Sequence, residues 1–121
     1  MKPPVPSEHQ EQAALFQWAA LATGKYPELE LLYAVPNGGE RDERVGARLK
    51  AEGVKAGVPD VVLPVARQGC HALYIEMKRT SGGRTSPEQL RWFARLAAHG
   101  NLAVECKGAY EAIAVIEEYL R

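Results

Sequence analysis

The run Leu73 to Lys78 alternates strictly, with Leu73, Ile75 and Met77 on one side of an extended chain and Tyr74, Glu76 and Lys78 on the other. A helix would scatter these six residues around its axis, so the run is predicted to be a strand with one apolar and one polar face. Upstream, Asp60-Val61-Val62-Leu63-Pro64-Val65 reads as a buried strand, and Arg67-Gln68-Gly69-Cys70 has turn character. The two runs are expected to form a hairpin. Gly53 to Pro59 is a loop that delivers the chain to Asp60, which therefore stands where loop meets strand.

Around this hairpin the pattern alternates between helix and strand. Met1 to Pro6 holds three prolines and is expected to be an irregular arm, with the folded domain spanning 7–121. Ser7 and Gln10 form a capping-box signature for a first helix from Glu8 to about Ala22, with Ala14, Leu15, Trp18, Ala19 and Ala22 at helical spacing. Leu29 to Val35 is read as a short strand ending at the chain breaker Pro36-Asn37-Gly38-Gly39, and a polar helix is expected from about Asp42 to Glu52. Ser86-Pro87-Glu88-Gln89 supplies a cap, a first-turn proline and a capping-box glutamine for another helix, which Gly100 ends. Leu102 to Cys106 is strand-like, and Ala109, Ile113, Ile116 and Leu120 mark a last amphipathic helix. The order α, β, α, β, β, α, β, α points to a three-layer α/β arrangement with a mixed sheet.

Composition narrows the function classes. The chain has 121 residues, 46% of them hydrophobic, which suits one domain with its own core. Lys+Arg and Asp+Glu are both 15, so any affinity for nucleic acid must come from how charge is distributed. No apolar run approaches the roughly 20 residues needed to cross a bilayer. Cys70 and Cys106 form no CxxC pair and no charged-then-apolar leader is evident, so a reduced, cytoplasmic setting is expected. His9, His71 and His99 lack the companions of a zinc site.

Asp60 and Glu76 would meet across the hairpin and offer two hard oxygen donors to one cavity, which suits Mg²⁺ or Mn²⁺ beside substrate phosphate oxygens. Lys78, two residues beyond Glu76, shares its face and is placed to orient a water or offset charge developing on phosphate oxygens. Pro-Asp and Glu-x-Lys each arise often by chance, and paired opposite charges on strand faces contribute only about 0.2–1 kcal/mol. Their conjunction, in order, with apolar flanks and a helix cap downstream, carries the catalytic reading.

Gly57-Val58-Pro59-Asp60, followed after fifteen residues by Glu76-Met77-Lys78, resembles the PD-(D/E)XK nuclease signature. With the acidic first helix, Pro36-Asn37-Gly38-Gly39 and Ser86-Pro87-Glu88-Gln89 included, the whole chain resembles a stand-alone VRR-NUC domain, similar to Holliday-junction resolvases. The resemblance implies a three-layer restriction-endonuclease-like fold, with a central mixed β-sheet flanked by helices. It also implies a divalent-metal endonuclease acting on branched or flapped DNA, often as a homodimer, of bacterial origin or phage-encoded and acting in the host cytoplasm. By the same resemblance a first-helix glutamate helps hold the metal, Glu11 as first choice and Glu8 as its rival, since i and i+3 share a helix face. The Met77 backbone carbonyl is an implied further ligand. Gln89 matches a family glutamine that contacts the lysine or the metal waters, with a plain capping role as the competing reading. Arg79 and Arg84 are candidates for a DNA-contacting rim, while Arg91 and Arg95 read as solvated surface.

Two rival functions remain: a catalytically silent module that binds branched DNA or a protein, and a phosphatase or nucleotide hydrolase using the same carboxylates. The intact Asp60, Glu76 and Lys78 set speaks against the first. The lack of a P-loop speaks against the second.

Overall fold

In the computed structural model the described residues are 3–36 and 43–121. Met1, Lys2, residues 37–39 of the expected chain breaker and Asp42 at the expected start of the second helix lie outside them. Helix α1 spans Glu8–Ala22, and the Ser7/Gln10 capping box forms in both directions. Helix α2 covers Glu43–Ala51, α3 Pro87–Ala98 and α4 Ala109–Tyr119. The strands are β1 (Tyr33–Ala34), β2 (Val61–Leu63), β3 (Leu73–Lys78) and β4 (Leu102–Lys107).

The strand expected over 29–35 is corrected by the structure. Residues Pro27–Leu31 form a short 3₁₀ helix, and only Tyr33 and Ala34 pair in the sheet. Pro27 opens the 3₁₀ turn with a preset φ, and three-residue periodicity turns Leu29 and Leu32 inward while leaving Leu31 exposed. An apolar composition without alternation had not specified the period.

The four strands run in the order β1-β2-β3-β4, antiparallel except for the β3–β4 pair, which is parallel. The expected hairpin is present as β2–β3. Parallel pairing of β3 with β4 requires a crossover, and α3 provides it. Helices α1 and α4 pack on each other and on β3. Their layer buries Leu15, Ala19, Ala112 and Ile116 against Val61, Leu73, Ile75 and Met77. Each of the Leu, Ile, Val and Met side chains contributes about 1.5–3 kcal/mol by leaving water, and the two alanines less. The opposite face of β3 carries Glu76 and Lys78, only 3% and 5% exposed. Gln89 of α3 reaches both, so α3 lies on that second face and completes the three layers. No helix among the described residues is long and apolar enough to cross a membrane.

Candidate functional site

Strand register brings the first two carboxylates together. Val61 pairs with Ile75 in the β2–β3 ladder, so one step back along β2 sets Asp60 opposite Glu76. Alternation puts this pair on the face opposite the apolar core. Asp60 is held from two sides: its carbonyl accepts from the Val35 N–H at 2.7 Å, and its Oδ2 accepts from the Met77 N–H at 2.9 Å. Met77 thus orients Asp60 through its amide while its side chain is fully buried in the core.

The third carboxylate comes from the start of α1, and it is Glu8. Carboxylate oxygens of Glu8, Asp60 and Glu76 all lie within 4.8 Å of one another. Glu11, the first choice from sequence, is engaged elsewhere. Its Oε1 accepts from the Ala109 N–H at 2.9 Å, at the first residue of α4. The N-cap position of α4 is Gly108, which has no side chain to cap with, and Glu11 supplies the missing acceptor from another helix. The two acids of one helix face therefore meet different neighbours, Glu8 the carboxylates of Asp60 and Glu76 and Glu11 the start of α4.

Lys78 and Gln89 are joined to Glu76 in one polar network. Lys78 Nζ donates to the Arg84 carbonyl at 2.6 Å and to Gln89 Oε1 at 2.9 Å, and lies 3.7 Å from Glu76 Oε2. Gln89 Nε2 donates to Glu76 Oε2 at 3.1 Å. The same Gln89 Oε1 accepts from the Ser86 N–H at 3.0 Å, completing the capping box of α3. Gln89 thus touches Lys78 and caps α3 at once, because an amide oxygen accepts twice while its nitrogen donates.

Two loops close over this network. Between α2 and β2, the Ala56 carbonyl accepts from Trp92 Nε1 at 3.1 Å, and Gly57 (φ +85°) sits so close to α3 that a Cβ there would fall 2.7 Å from the Glu88 backbone. Gly57 is thus required both by its left-handed backbone and by its contact. Between β3 and α3, Gly83 lies over the Lys78 stem, and Thr85 donates a short hydrogen bond to Glu105, the β4 residue in register with Glu76. Sequence reading did not single out Glu105, because its β4 run had been read only as apolar and strand-forming. Arg79 and Arg84 have exposed side chains.

The electrostatics of the site are set by burial and by the closeness of its carboxylates. Burial, then the negative charge of Asp60, push the Glu76 carboxyl up to about 8, with Lys78 pulling the other way and Glu8 adding to the rise. Asp60 is also raised, chiefly by burial, against the opposing pull of the Met77 N–H and the Lys78 charge. Glu76 Oε1 is buried and has no hydrogen-bond partner among the described residues. An orphaned carboxylate oxygen is costly unless something cationic meets it. Three oxygen donors, one of them unsatisfied, fit a hard divalent cation such as Mg²⁺ or Mn²⁺.

A family model for the VRR-NUC domain matches residues 6–110 of this chain. Among solved structures, a "VRR_NUC domain protein" superimposes with a TM-score of 0.82 at 30% sequence identity, covering 96% of this chain and 89% of the other. A search of curated proteins returned no match. The family match takes in Glu8, Asp60, Glu76, Lys78 and Gln89, and the structural match takes in the three layers that hold them. This chain belongs to the VRR-NUC domain family.

Proposed function

We propose that this protein is a divalent-metal-dependent endonuclease that hydrolyses DNA phosphodiester bonds and prefers branched substrates, Holliday junctions or flaps. Family membership gives the coarser part, a nuclease-type domain that processes DNA. The observation that supports metal dependence is the group of Glu8, Asp60 and Glu76 oxygens within 4.8 Å, with Glu76 Oε1 buried and unpartnered among the described residues and Lys78 Nζ 3.7 Å from Glu76 Oε2. The preference for branched DNA rests on the resemblance to junction resolvases.

Asp60, Glu76 and Glu8 would hold the ion, joined by the Met77 carbonyl. Bound Mg²⁺ or Mn²⁺ would supply Lewis acidity toward the phosphate and lower the pKa of water. Lys78 has three N–H donors, of which two are committed to Arg84 and Gln89, so the third is left for the attacking water or a phosphate oxygen. Its positive charge offsets the charge that grows on the phosphate oxygens. Gln89 fixes the spacing of Lys78 and Glu76 by bonding both. Glu11 is not needed at the ion, since its carboxylate already caps α4. A homodimer would present two such sites related by a twofold axis, matching the symmetry of a four-way junction. Both cysteines are free thiols, which agrees with a reducing cytoplasm, bacterial or that of a phage host.

The test is cleavage of labelled four-way junction, 5′ flap, single-stranded and linear duplex DNA with Mn²⁺, Mg²⁺ or EDTA, beside Glu76→Ala. Cleavage of branched DNA that needs metal and is lost in Glu76→Ala is expected. A folded wild-type protein that binds these DNAs and cuts none would replace this reading with the binding module.

A further inference from the structure

A cleft of about 470 Å³ lies along α3, bordered by Lys55, Arg91, Trp92, Arg95, Leu96 and His99. That volume falls in the range of ligand-binding clefts. Its floor is apolar, formed by the half-buried Trp92 and Leu96, one helical turn apart. Its rim is cationic: Arg91 and Arg95 are also one turn apart on α3, and Lys55 faces them from the loop before β2. Among the described residues no carboxylate borders the cleft, and none of the three cations has an ion-pair partner. In a chain of zero formal net charge, three free cations around an aromatic ring are a local concentration of charge that solubility does not require.

The Trp92 indole is pinned, because its Nε1 donates to the Ala56 carbonyl of the opposite wall. A fixed aromatic face with cations at its edge is the arrangement that takes a nucleobase on the ring and phosphates on the rim. The two walls are also the two elements that build the catalytic centre. The Lys55 loop runs directly into Asp60, and Gln89 in the first turn of α3 lies about 9 Å along the helix axis from Arg95 at 1.5 Å per residue.

We propose that this cleft binds an unpaired DNA strand next to the cleavage site, with a base against Trp92 and Leu96 and phosphates on Lys55, Arg91 and Arg95. The proposal rests on the nuclease reading for its biological sense and deepens it, since it makes a single-stranded segment of branched DNA the feature that is recognised. A fully paired duplex offers the rim its phosphates but gives the floor no base.

The test is fluorescence anisotropy in EDTA, with a labelled single-stranded oligonucleotide and a blunt duplex of equal length, on the wild-type protein, Arg91→Ala/Arg95→Ala and Trp92→Leu. Wild type is expected to bind the single strand more tightly. The double variant should lose at least about tenfold in affinity for it and show a shallower salt dependence, by about 1.4 in the slope of log K against log salt for two lost phosphate contacts. Trp92→Leu should weaken the single strand and spare the duplex. Arg91 and Arg95 are exposed, so an unchanged thermal midpoint is expected for the double variant. Unchanged affinity and slope in the double variant, or equal losses on strand and duplex in Trp92→Leu, would overturn the assignment. Because no metal is present, the result does not depend on whether the protein cuts DNA, and failure of the cleft is distinguishable from failure of the nuclease reading.

Discussion

Glu76 bears the largest electrostatic strain among the site residues. Its folded-state carboxyl stands at about 8 against an ordinary 4.5, so between those values the folded protein holds a proton that the unfolded chain has released. Stability then falls as pH rises, because the slope follows the difference in bound protons between unfolded and folded states. In EDTA the urea midpoint is expected to be highest below pH 4.5, to drop as pH climbs to about 8, and to level off beyond it. Asp60 is shifted in the same direction and adds to the trend. Glu76→Gln should flatten the slope, and an equally steep decline in that variant would assign the effect to other groups. Divalent metal should stabilise more at the alkaline end, where no proton competes for the carboxylate. Glu76 and Lys78 were legible as neighbours because strand alternation puts them on one face, and Asp60 because the expected hairpin sets it beside Glu76. Glu8 and Glu11 were not separable, because three residues on a helix share a face and the discriminator is distant. It is the bare Gly108 at the start of α4 that takes Glu11 away from the carboxylate group.

Helix starts and close approaches decide where the site's elements sit. Both capping boxes, Ser7/Gln10 and Ser86/Gln89, were readable from spacing and form as read. The 3₁₀ turn at Pro27–Leu31 was not, since a leucine-rich stretch with no clear alternation is compatible with more than one period. The importance of Gly57 was half legible: a glycine before the Val58-Pro59-Asp60 run signals a loop, but its contact with α3 depends on tertiary structure. Gly53 and Gly57 allow a controlled comparison, since both have positive φ while only Gly57 has a neighbour where a Cβ would stand. Gly53→Ala is expected to cost about 1–2 kcal/mol from backbone strain alone. Gly57→Ala should cost more, as a displaced loop no longer fits the start of α3, and should reduce cleavage because Asp60 lies three residues on. Urea denaturation of both variants checks this, and equal losses would contradict a role for the α3 contact.

At the scale of the whole molecule, the sheet divides structural from chemical work. The face covered by α1 and α4 holds the apolar core, and the face covered by α3 holds the Glu76, Lys78 and Gln89 network. The start of α1, the entry to β2, the end of β3 and the start of α3 converge on one mouth, so residues 8, 60, 76, 78 and 89 meet there despite their separation in the chain. The α/β order and the central hairpin were legible from periodicity. The parallel pairing of β3 with β4 followed only from the crossover, and the cationic cleft beside α3 was hidden because isolated arginines in a neutral chain read as solvated surface. The claim on which the function rests is that Glu8, Asp60 and Glu76 form a divalent-cation centre. Calorimetric titration of Mn²⁺ at alkaline pH into wild type, Glu76→Gln, Glu8→Gln and Glu11→Gln tests it without substrate. Binding by wild type, loss in Glu76→Gln, weakening in Glu8→Gln and no change in Glu11→Gln is the expected pattern. Undiminished binding in Glu76→Gln, or a loss confined to Glu11→Gln, would contradict the assigned centre.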